Sequence, residues 1–93
     1  MNDYERLKEI MHELMQMKGR IVKSIGEEKY VKMLEQYDGF RRGAVDKEGY
    51  RIWCPEHPKF IMAQAVEKSI LDLHGFFVYI RDKSEEAERQ DKR

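Results

Sequence analysis

"FRRGAVDKEGYRIWCPEHP", Phe40 to Pro58, is the one stretch of this chain without a helical repeat, and its reading decides the fold. It holds the single Trp, the single Cys and both Pro. At its centre, Asp46-Lys47-Glu48-Gly49 reads as a four-residue turn: Asp suits the opening position, and Gly tolerates the positive φ at the close. The flanking arms are RRGAV and YRIWC, the second rich in aromatic and β-branched residues. Together they predict a short β-hairpin at about residues 41–54. Strand alternation would put Tyr50, Ile52 and Cys54 on one face and Arg51 and Trp53 on the other. The two prolines of CPEHP then remove backbone donors, and Pro58 suits the first position of a following helix.

Outward from this stretch, both flanks are helical. Towards the N-terminus, Leu7, Ile10, Leu14, Met17 and Ile21 recur at alternating spacings of three and four, and Met11, Met15 and Val22 widen the stripe. Asn2 or Asp3 is placed to cap this first helix. Ser24 followed by Glu27 has the form of a capping box, which predicts a second helix to about Asp38, stopped by Gly39. On the other side, Ala63, Val66, Ile70, Leu73, Phe77 and Ile80 form a heptad-like seam that predicts a long third helix to about Asp82. Residues 83–93 read as a charged, solvated continuation with Glu85–Arg89 and Glu88–Lys92 pairs. The expected fold is mainly α: three helices, two of them long and amphipathic, with the hairpin between the second and third. Residues 1–82 form one domain.

Ninety-three residues support only a thin core. Two long helices with similar apolar stripes can pair antiparallel within one chain or between chains. A homo-oligomer that uses the seam Ala63, Val66, Ile70, Leu73, Phe77 and Ile80 is the expectation.

Charged residues make up 39%, with 18 Lys plus Arg against 18 Asp plus Glu, so the net charge is zero. A general polyanion binder would be basic overall. Ten aromatics argue against disorder. The basic excess is local: residues 18–53 carry 9 basic and 6 acidic side chains. A lone Cys excludes an internal disulfide and suits a reducing compartment. The polar N-terminus is no signal peptide, and no apolar run approaches a membrane span. These features predict a cytoplasmic protein that does not enter membranes.

No spacing identifies a reaction, so no catalytic residue and no cofactor is expected. Cys54 and His57 form C-x-x-H, half of a zinc site, but the only other His or Cys residues are His12 and His74, each within a helical segment and without a paired ligand. No metal site is expected. A Cys and His adjacent in sequence are also poor grounds for a nucleophile–base pair. What remains is Arg41, Arg42, Lys47, Tyr50, Arg51 and Trp53. Guanidinium beside an exposed indole suits a carboxylate, a phosphate or a stacked base. The expectation is a small regulatory or inhibitory protein whose hairpin surface binds a macromolecular partner, most simply another protein. One alternative is a winged-helix-like DNA-binding regulator, with the second helix in the major groove. Another is a nucleotide or small-anion binder.

Overall fold

A computed structural model describes residues 2–91, with side chains described through Glu85. It contains three helices: α1 (Asp3–Ile25), α2 (Glu27–Arg42) and α3 (Pro58–Asp91). Asn2 caps α1, its Oδ1 accepting the Glu5 N–H at 2.8 Å. The first helix ends one residue before the second begins. Gly26 makes the whole connection at φ 102°, a conformation that a residue with a Cβ rarely adopts. The expected Ser24–Glu27 capping box does not form. Ser24 is still inside α1, where its hydroxyl donates to the Ile21 carbonyl at 2.8 Å.

Helices α1 and α3 lie antiparallel. Tyr4 meets Phe77 edge-on at 5.4 Å, Lys18 pairs with Glu67, and Ile21, Val22 and Ile25 pack against the cluster of Tyr30, Phe60 and Ala63. The core is at the corner where the end of α1, the inner face of α2 and the start of α3 converge. Tyr30, Phe60, Ala63 and Val66 are its buried apolar residues. Met33, Leu34 and Tyr37 of α2 close over it, and the Phe60 ring sits 5.8 Å from both Tyr30 and Tyr37. The heptad seam of α3 is thus turned onto α1 of the same chain. Ala63 and Val66 are buried, and Ile70, Leu73, Phe77 and Ile80 are half-buried. Gly75 does not interrupt α3, which runs on past Asp82 to Asp91. The expected Glu85–Arg89 and Glu88–Lys92 pairs lie outside the described side chains.

The expected β-hairpin is absent, and no strand occurs among the described residues. Its turn does form: Asp46 Oδ1 accepts the N–H groups of Glu48 and Tyr50, and the Gly49 N–H reaches the Asp46 carbonyl at 3.0 Å. Between the arms, however, only one isolated antiparallel bridge joins Val45 and Arg51. The first arm is lost to α2, which does not stop at Gly39. It continues through Arg41 and Arg42 and ends at Gly43 in the left-handed region. The Ala44 N–H donates to Gly39 and the Gly43 N–H to Phe40, a Schellman closure that leaves only two residues before the turn. The second arm is pulled to the helix instead of a strand, since Gln36 Nε2 donates to the Trp53 carbonyl at 2.7 Å. Two-residue arms cannot sustain a ladder.

No helix among the described residues is long and apolar enough to cross a membrane.

Candidate functional site: a cation and aromatic ladder at the end of α2

Segment 43–57 is a loop seated on the outer face of α2. Its anchor is Ile52, which lies against Gly39. A Cβ at residue 39 would come within 2.9 Å of Ile52 Cδ1, so the missing side chain is what lets the loop approach. Gly39 is buried, and Ile52 is half-buried. Pro55 is buried at the far end of the loop, and His57 Nδ1 accepts the Lys59 N–H at 3.2 Å at the start of α3. The loop is therefore held at Asp46, Ile52, Trp53 and His57.

These restraints place Arg51 between two rings. Its Cζ lies 5.9 Å from the centroid of Phe40 and 5.9 Å from that of Trp53. Phe40 stacks on Tyr37 at 6.5 Å, and the Arg41 guanidinium lies 5.8 Å from the Tyr37 centroid. The order Arg41, Tyr37, Phe40, Arg51, Trp53 forms a ladder of two guanidinium groups and three rings around the C-terminal turn of α2. Each such contact is worth about 0.5–1 kcal/mol at an exposed site. The inner end of the ladder joins the core through Tyr37 and Phe60. The outer end is open: Trp53 and Tyr50 are each 71% exposed.

Of the six surface residues expected from the sequence, Arg51 and Trp53 come together as strand alternation implied, although no strand holds them. Tyr50 lies next to them in the chain, at the turn. Arg41 joins from the helix, not from a hairpin arm. Arg42 points elsewhere and pairs with Asp38 at 3.0 Å within α2. Lys47 sits in the exposed turn. No carboxylate among the described residues lies within ion-pair distance of Arg41, Lys47 or Arg51. Sequence reasoning missed Tyr37 and Phe40. Their spacing of three on one helix, with Arg41 next to Phe40, was the available signal, but it required α2 to continue beyond Gly39.

Cys54 is half-buried, and its thiol donates to the Pro55 carbonyl at 3.6 Å. Among the described residues, no three His, Cys, Asp or Glu converge as metal ligands. His57 is occupied at the start of α3. The exposed face of α2 that a major groove would meet carries Glu27, Glu28 and Glu35 beside Val31 and Lys32.

No protein-family model, no curated protein and no solved structure matches this chain.

Proposed function

We propose that this chain is a small, homo-oligomeric regulatory or inhibitory protein that binds another protein through the ladder and the loop around it. The observation that carries this reading is the exposure of Trp53 beside Arg51, with Tyr50, the residue preceding Arg51 in the chain, equally exposed. Large aromatic side chains left in water next to an unpaired guanidinium are costly ornaments for a connector. Trp, Tyr and Arg are also the residue types that dominate binding energy at protein interfaces. The outer part of the ladder contributes little to the core, so it is free to be matched to a partner.

The DNA-binding alternative has less to support it. The expected wing is missing, and the helix that would enter the groove presents carboxylates to phosphates.

The test is affinity capture from the source cells with wild-type chain, Arg51→Ala and Trp53→Ala as parallel baits, followed by binding titrations with whatever the wild type retains. Loss of about 1–3 kcal/mol of binding in both variants, with unchanged helicity, is the expected result. Equal retention by all three baits would remove the loop from the binding surface. Micromolar affinity for duplex DNA that falls steeply with salt would favour the DNA reading.

A further inference from the structure

We propose that two copies of this chain associate through the outer face of α3, antiparallel and related by a two-fold axis near Ile70. This deepens the homo-oligomer part of the proposed function and does not depend on the loop or its partner.

The seam expected to join the chains is turned onto α1. The face diametrically opposite is exposed, and Lys68 on it also borders a cleft with Tyr37 and Arg41 of α2. It carries Ile61, Ala65, Lys68, Asp72, Gly75 and Tyr79, all exposed. On a helix of 3.6 residues per turn, these six fall within about 40° of a common line. Any face with this 4-3-4-3-4 spacing is symmetric about its centre; what is particular here is that the residues at equal distances are chemically matched. Ile61 and Tyr79 lie nine residues either side of Ile70, Ala65 and Gly75 five, and Lys68 and Asp72 two. A second α3 running antiparallel about that centre sets Ile61 against the other copy's Tyr79, Ala65 against Gly75, and Lys68 against Asp72, each pair twice. That is the self-complementarity an isologous interface demands.

Three further observations agree with this register. Ile61 and Tyr79, at the outer ends of the face, are 54% and 58% exposed, a large apolar outlay for a solvated helix. Gly75 stands in a helix interior with nothing among the described residues within 4 Å of where its Cβ would be, so no described neighbour explains its small size. A facing helix would, since small residues let two helices approach closely. Finally, Lys68 and Asp72 make no ion pair with each other or with any described residue, although they are four apart on one helix. Both are left to pair across the axis. The contact would extend over about 27 Å of helix.

The test is sedimentation equilibrium of the purified full chain, without any partner, at micromolar concentration. Wild type should be dimeric. Lys68→Glu and Asp72→Lys should each weaken the dimer by about tenfold or more, because each turns two attractions into two repulsions. The double swap Lys68→Glu/Asp72→Lys restores both pairs and should return the dissociation constant to within about threefold of wild type. Gly75→Leu should weaken association by bulk alone while raising helicity. Circular dichroism on each variant separates loss of assembly from loss of fold. A monomeric wild type overturns this proposal and the oligomeric part of the proposed function together. A dimeric wild type whose affinity ignores the single swaps, or whose double swap stays weak, overturns this interface and leaves the oligomer standing.

Discussion

Gly39→Ala tests where the loop sits, and Gly19→Ala supplies its reference. Both glycines are inside helices, where Ala is favoured by about 1 kcal/mol. At Gly19 nothing among the described residues lies within 4 Å of the new Cβ, so the full gain should appear. For a chain of this length, that raises the melting temperature by about 5 °C. At Gly39 the same Cβ would stand 2.9 Å from Ile52 Cδ1, well inside the roughly 3.5–4.0 Å optimum for two carbons. Relief requires Ile52 to leave its rotamer, at about 0.5–1.5 kcal/mol. The two effects should cancel to within about 0.5 kcal/mol. Ile52→Val deletes the offending atom. The next nearest atom, Cγ2, is at 3.7 Å, an ordinary contact. Alone, Ile52→Val should cost about 0.5–1.5 kcal/mol. In its background, Gly39→Ala should recover the 1 kcal/mol seen at Gly19, a coupling of about 1 kcal/mol between residues 39 and 52. Thermal and urea melts followed by far-ultraviolet circular dichroism measure all four corners. If Gly39→Ala stabilises the Ile52 protein as much as Gly19→Ala does, the loop is not seated on α2, and the placement of Arg51 and Trp53 fails with it.

Phe60→Ala should be the most damaging single truncation, at about 3–5 kcal/mol, because this ring is 1% exposed and touches both Tyr30 and Tyr37. Against a total of about 5–14 kcal/mol for 93 residues, it should leave a marginal or unfolded chain in a urea titration; retention of wild-type stability would show that the core lies elsewhere. Asn2→Ala should cost about 1 kcal/mol by removing the acceptor for the Glu5 N–H, whereas Asn2→Ser should cost far less, and equal melts for the two would deny the cap.

The helices were readable because their evidence is periodic. The stripe from Leu7 to Ile21 and the seam from Ala63 to Ile80 each repeat a spacing that only one local structure satisfies, and each becomes an inner face. What failed was punctuation. Gly39 and Gly43 are equally good stop signals. The choice between them depends on Ile52 filling the space at residue 39, a contact thirteen positions away that no local pattern announces. Moving the stop by four residues removed the hairpin's first arm. Ser24 misled in the same way, since a hydroxyl that can cap the next helix can equally bond back into its own. The pairing of Arg51 with Trp53 survived the loss of the strand because residues two apart in extended backbone share a side whether or not a partner strand exists. The partners of that pair on α2, Tyr37 and Phe40, depended on the helix end and were lost with it.

The overhang of α3 has a hydrodynamic consequence. The helix runs about 20 Å beyond the contact of Tyr4 with Phe77, and the chain measures 62 × 29 × 17 Å. Its radius of gyration is 18.6 Å, where a compact domain of this length would have about 12 Å. A rod of that aspect ratio has more friction than a sphere of equal mass and tumbles anisotropically. Single chains should therefore leave a calibrated gel-filtration column early, at the position of a globular protein of much greater mass. Their backbone amides should relax at different rates depending on whether the N–H bond lies along the long axis, as in the antiparallel α1 and α3, or across it.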